Sequence, residues 1–159
     1  VINVELKGMK EMQKKFDQIT ADLHGDPMRG GMAEATMLVT RDARRNAPVD
    51  MGTLRASIVP EVVVRTTTVT GIVGSNVKWA PYMEFGTRPF WPPWRPLFEW
   101  ASRKVRVSGG DAGALAAGAR IAIAARGIKA RRYLQSALED NAGKIFRILG
   151  DVVGRIVSK

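Results

Sequence analysis

Strand-forming sequence comes only in short pieces in this chain, and that limits any sheet to a small one. Ile58 to Arg65 and Val69 to Gly74 are rich in β-branched residues and read as two strands joined at Thr66-Thr67. Pro60 cannot donate a ladder hydrogen bond, so it marks an edge or a bulge in the first of them. Ile2, Val4 and Leu6 alternate with polar neighbours and predict one more short strand. Most other periodic sequence has helical spacing. Met9, Met12, Phe16, Ile19 and Leu23 recur at 3-4-3-4 and predict an amphipathic helix ending near His24-Gly25. Asp26-Pro27 reads as an N-cap with proline at the first helical position. The helix it opens runs to about Asn46, with Met28, Met32, Ala35, Val39 and Ala43 inward and Pro48 past its end.

Beyond Pro48, residues 49–53 read as a turn in which the Asp50 side chain can bond backbone amides just ahead. Ala80-Pro81 opens a short helical turn that ends at Gly86. Residues 88–96 are Pro-rich and aromatic, a rigid loop. Pro96 starts a helix to about Val105, Gly109-Gly110 breaks the chain, and Ala112 to Arg126 is helical, with Asp111 as N-cap and Gly127 after its end. Leu134, Leu138, Ala142, Ile145, Leu149, Val152 and Ile156 predict a last amphipathic helix, which covers its own subunit's sheet or reaches a neighbour.

With 159 residues the chain suits one domain, and it is long enough to bury a core without a staple. It has no Cys, which excludes disulfides, thiolate metal sites and a thiol nucleophile, and which fits a reducing compartment. A single His leaves little room for His-cluster metal sites or Ser-His-Asp chemistry. No apolar run approaches the roughly 20 residues needed to span a bilayer, and VINVELKG lacks a signal-peptide layout. No membrane partner is therefore expected. The formal charge of +10 is unevenly placed: residues 1–87 carry 11 basic and 10 acidic side chains, residues 88–159 carry 14 and 5. Its densest stretch, Arg126, Lys129, Arg131 and Arg132, is either a solvated helix start or a contact for a polyanion such as DNA.

Few residues invite catalysis. His24 at a helix end suits the dipole there and needs no chemical role. Asp50, Glu61 and Glu84 show no spacing that makes two carboxyls converge. Gly30-Gly31 and Gly109-Gly110 lack the context of a phosphate loop. Pro93-Trp94-Arg95-Pro96 fits a bare polyproline pattern but is better read as a helix start. No enzyme activity, cofactor or metal is expected.

The aromatic residues say more. All four Trp lie within residues 79–100, and eight of the chain's eleven aromatics share that window. Large rings beside Arg88 and Arg95 are the residue types that anchor protein–protein interfaces. The rival readings are a cluster that roofs the core and a surface that stacks single-stranded bases. Trp79, Phe90, Trp91, Trp94, Arg95 and Trp100 are the interface candidates. The stripe of the first helix is core or an inter-subunit seam, its heptad phase leaving helix pairing between chains open.

Three segments carry a family resemblance. Ala43 to Ile58 contains A-P-V-D-M-G-T-L-R-A-S, Trp79 to Phe90 contains Y-M-E-F-G-T, and Arg132 to Glu139 reads R-Y-L-Q-S-A-L-E. Together they resemble the neck and tail-completion proteins of long-tailed bacteriophages, over roughly residues 5–95 and 128–158. In that family the third segment follows the second closely. Here about 40 residues, Trp91 to Ala130, lie between them, with Tyr133 where Phe is common and Ser136 where Pro is common.

The resemblance implies an α+β domain spanning residues 1–159, with helices packed on a small antiparallel sheet, a long C-terminal helix and a helical, aromatic insertion at about 91–130. It implies no catalysis and a virion structural protein made in the host bacterial cytoplasm. Such proteins form a homo-oligomeric ring, of six subunits as one option, at the head–tail junction. The ring meets the head connector or adaptor on one side and the tail terminator or tail tube on the other, and the genome passes through it, so the basic half either makes non-specific DNA contact or faces acidic neighbours. The motif residues Pro48, Asp50, Gly52, Leu54, Arg55, Ser57, Tyr82, Glu84, Phe85, Gly86 and Thr87 then act as architecture. Asp50 caps its turn, Gly52 supplies a permissive backbone position, Ser57 hands the chain into the sheet, and Arg55 pairs with Glu84. The alternative from another class is a free-standing basic nucleic-acid-binding protein.

Overall fold

The computed structural model describes residues 9–158. Its elements are α1 (Met9–His24), α2 (Asp26–Asn46), α3 (Thr53–Ser57), β1 (Ile58–Arg65), β2 (Thr68–Ser75), α4 (Ala80–Phe85), α5 (Trp94–Ser108), α6 (Ala112–Arg126) and α7 (Tyr133–Val157). The fold is α+β: helices with a two-stranded antiparallel sheet, β1-β2, turned at Thr66-Thr67. The strand expected at Ile2, Val4 and Leu6 lies outside the described residues. The chain divides into two compact units, one of Val1–Asp42, Val59–Gly74 and Ala137–Lys159, the other of Ala43–Ile58 and Ser75–Ser136.

In the first unit α2 buries Ala35 and Val39, and α7 buries Ala137, Val152 and Ile156. The two helices come close because position 31 is glycine: a Cβ there would stand 2.7 Å from Val152 Cγ2. The C-terminal helix therefore lies against a helix of its own chain. The polar groups buried here are satisfied. Thr40 donates to the Thr36 carbonyl (2.7 Å) and Thr36 to that of Ala33 (2.9 Å). Asn141 donates to Asp42 Oδ2 and to the Ala137 carbonyl, both at 2.8 Å, and Arg41 donates to Asp42 Oδ1. The α7 stripe is thus corrected in its first half. Leu138, expected inward, is 54 % exposed, while Ala137 and Asn141 are buried. Their i, i+4 row places the Asn141 amide on the Asp42 carboxylate, and a register set by that bond turns Leu138 outward.

No residue of α1 is buried. Met9, Met12 and Phe16 are more than half exposed, so their stripe is not core in this chain. The His24 Nδ1–H donates to the Thr20 carbonyl at 2.9 Å, a local bond at the helix end.

The second unit contains the end of α2, the turn after it, α3 to α6 and the first residues of α7. Helices α5 and α6 pack on each other, and each buries one alanine completely, Ala101 and Ala116. Side chains this small let helix backbones approach. Helix α5 starts at Trp94, two residues before Pro96, which sits in the first turn where no helical partner awaits its missing N–H. Asp111 caps α6 as expected, accepting from the Gly113 amide at 2.7 Å.

Candidate functional site in the second unit

The chemistry of this unit begins with a buried acid. Glu84 lies on α4, 4 % exposed, and its two carboxylate oxygens accept the backbone amides of Leu134 and Gln135, each at 2.9 Å. These are first-turn amides of α7, which have no carbonyl partner inside the helix and lie at its positive dipole end. The Arg131 and Arg132 amides complete the joint by donating to the carbonyls of Met83 (2.8 Å) and Glu84 (3.1 Å). Arg132 turns the corner with a positive φ of 48°. The ion pair expected between Arg55 and Glu84 is therefore corrected. A carboxylate already held by two charge-assisted hydrogen bonds needs no cation, and the Arg55 Nε donates instead to the Arg44 carbonyl at 2.9 Å.

Just beyond Glu84 two strands of irregular backbone are tied side by side. The Thr87 amide donates to the Ile128 carbonyl (3.0 Å), and the Ile128 amide to the Thr87 hydroxyl (2.9 Å). Gly86 and Gly127, at φ 76° and 73°, face this seam. A Cβ on Gly86 would meet the Ile128 carbonyl, and one on Gly127 the Thr87 carbonyl. Residues 91–130 thus leave and return at one closed stem, with α5 and α6 between.

The first motif segment is tied differently from expectation. Gly52 has φ 81° and precedes α3, an element the turn signals did not reveal. Asp50 caps no amide. Its carboxylate takes a bidentate pair from Arg103 of α5, Nε at 3.2 Å and Nη2 at 2.6 Å. Arg offers a planar fork that matches a carboxylate, and a partner from α5 displaces the local turn bond. The Arg103 hydrogen bonds hold the Asp50 carboxyl below its ordinary value, against the opposing effect of burial. Arg44 spans to the start of β1, donating through Nε and Nη2 to the Ile58 carbonyl (2.9 and 2.7 Å). Ser57 bonds the Leu54 carbonyl and the Ser75 hydroxyl, where the chain enters and leaves the hairpin. Asn46 donates to Ser136 at 3.1 Å. Of the other motif residues, Leu54 is buried, Pro48 is half-buried, and Tyr82 and Phe85 are exposed.

Tyr133 is fully buried, and its hydroxyl has no hydrogen-bond partner among the described residues. Burial first, and the Glu84 charge second, push its phenol above the ordinary tyrosine value.

The aromatic segment is mostly on the surface. Trp79, Phe90, Trp91 and Trp94 are exposed and Trp100 is half-buried, so the rings do not roof a core. Trp94 stacks on Phe98 at 5.9 Å between centroids. The Arg120 guanidinium of α6 lies 4.6 Å from the Trp91 ring centre and 5.9 Å from that of Trp94, and its Nε donates to the Pro92 carbonyl. Sequence reading missed Arg120, since nothing in its helix sets it apart. Arg95 faces its own helix, donating to Glu99.

A cavity of about 580 Å³ opens in this unit. Its walls include Leu54, Met83, Leu97 and Ile123 with the rings of Trp79 and Trp100, and Lys104, Lys129 and Arg131 also line it. Of the four cations grouped in the sequence, Lys129 and Arg131 meet here; Arg126 ends α6 and Arg132 stands at the α7 corner. Among the described residues no group of three His, Cys, Asp or Glu is placed to hold a metal ion, and no helix is long and apolar enough to cross a membrane.

Residues 10–86 match the model of the HK97-gp10-like family, described as "Bacteriophage HK97-gp10, putative tail-component". The match indicates a structural component of a phage tail. It covers just under half of the chain, from α1 to the glycine after α4, and so takes in the Asp50 turn and Glu84 but not α5, α6 or α7. No curated protein and no solved structure matches the chain.

Proposed function

We propose that this protein is a virion structural component that assembles as a homo-oligomeric ring at the neck or the top of the tail of a long-tailed bacteriophage. In this reading it joins the head connector to the tail, and the genome passes through it. The observation that carries the reading is the tail-component match over residues 10–86. The second unit supports it with the features of an assembly part. Two of its acids, Glu84 and Asp50, hold segments together, and most of the large rings of residues 79–98 are exposed.

A ring needs two different patches on each subunit that match head to tail. Trp91 and Trp94, exposed and steadied by Arg120, supply one of them. Interface anchors of this kind cost roughly 2 kcal/mol or more when truncated. Sedimentation of Trp91→Ala/Trp94→Ala against the parent chain tests this. The parent sediments as a closed oligomer, and the double variant sediments as a smaller species with an unchanged melting temperature. A variant that unfolds without a separate assembly defect refutes the interface. A parent chain that stays monomeric but binds DNA, with an affinity that falls steeply with salt, favours the nucleic-acid-binding alternative.

A further inference from the structure

The cavity of the second unit combines two chemistries that favour one kind of occupant. Its volume of about 580 Å³ falls within the roughly 300–1,000 Å³ of pockets that bury most of a small ligand. Its walls are aliphatic and aromatic, so water inside gains little from them and an apolar group gains by replacing it. Its charged lining is one-sided. Lys104, Lys129 and Arg131 all contribute, while the single carboxylate, Asp50, is already neutralised by Arg103. Lys129 and Arg131 are exposed and have no carboxylate partner among the described residues.

We propose that this cavity seats an acidic segment of a neighbouring virion protein that carries one large apolar side chain. The apolar group enters between Trp79 and Trp100, and flanking carboxylates meet Lys129, Arg131 and Lys104. The walls are fixed before the partner arrives. The Asp50–Arg103 pair ties the 48–54 turn to α5, and the Thr87–Ile128 seam holds the side from which Lys129 and Arg131 project. Such preorganisation lowers the ordering cost of binding. A second copy of this chain fits less well, because its formal net charge is +10. Nucleic acid matches the cations but leaves the aliphatic wall of Leu54, Leu97 and Ile123 without a complement. The kind of partner rests on the assembly role proposed above; the peptide binding itself does not require the ring, so the two readings fail separately.

The test uses the full chain and a blocked hexapeptide with one Phe set among glutamates. Binding is followed by tryptophan fluorescence, for which Trp79 and Trp100 are reporters in the wall, and by calorimetry. Saturable binding is expected, weakened about tenfold or more when the glutamates are replaced by lysines or the Phe by glycine. Lys129→Glu/Arg131→Glu, at exposed positions, should weaken it as much with an unchanged melting temperature. Ala119→Phe, which fills the cavity, should abolish it. The proposal is overturned by any of three results: no saturable signal up to about 1 mM peptide, equal affinity for the acidic and basic peptides, or binding that survives the charge reversal. A single-stranded oligonucleotide that binds while the acidic peptide does not, and is lost on the same charge reversal, would assign the site to nucleic acid instead.

Discussion

Glu84 shows what a single buried acid does in this protein. It substitutes for a carbonyl at the start of α7 and fixes where that helix begins. Glu84→Ala strands two amides and should cost about 1–3 kcal/mol in denaturant unfolding; Glu84→Gln, which keeps one acceptor, should cost less. Tyr133 next to it is the opposite case, since its buried hydroxyl makes no hydrogen bond among the described residues. Tyr133→Phe should therefore leave the unfolding midpoint unchanged or raise it, and a loss of more than about 1 kcal/mol would show a hidden partner. The Asp50–Arg103 pair carries a pH signature. Because Asp50 is depressed in the folded chain, its contribution is present above the ordinary carboxylate value and is lost as pH falls through the folded one. The melting temperatures of the parent and Asp50→Asn should differ most at about pH 7, and the gap should narrow as pH falls below the ordinary carboxylate range. A gap that persists in acid would mean that the carboxylate acts through shape and not charge.

At the level of elements, α5 and α6 pack on each other, and each has one fully buried alanine, Ala101 and Ala116. Ala101→Leu or Ala116→Leu should destabilise the protein by about 1–3 kcal/mol through overpacking, measurable by thermal unfolding; a neutral effect would mean that the helices have room to part. The extent of the elements was largely legible in the sequence because their ends are punctuated. Asp26-Pro27 and Pro48 bracket α2, Pro81 and Gly86 bracket α4, Asp111 and Gly127 bracket α6, and Thr66-Thr67 separates the strands. The five-residue α3 was not legible, being too short to show a period. Nor were the partners of the charged residues. Spacing reveals that Asp50, Arg55 and Glu84 exist, but Glu84 found amides freed by a helix start 50 residues away and Asp50 an arginine 53 away. The cavity was hidden for the same reason: its lining comes from segments spread over residues 48–131, which no local pattern links.

For the whole molecule, the charge asymmetry takes on a location. The first 87 residues are nearly neutral, and the basic half contributes Lys104, Lys129 and Arg131 to a cavity lining. The matched segment, residues 10–86, carries the tail-component likeness, and the chain beyond it adds the exposed rings of Phe90, Trp91, Trp94 and Phe98 and the cations of the cavity lining. A chain of this kind, on the reading proposed above, builds a ring. Single-particle electron microscopy of the purified protein tests it most directly. Closed rings of one discrete subunit number with an axial opening are expected, lost in Trp91→Ala/Trp94→Ala. Particles that remain single subunits across the micromolar range, alone and with tail or connector proteins present, would contradict it.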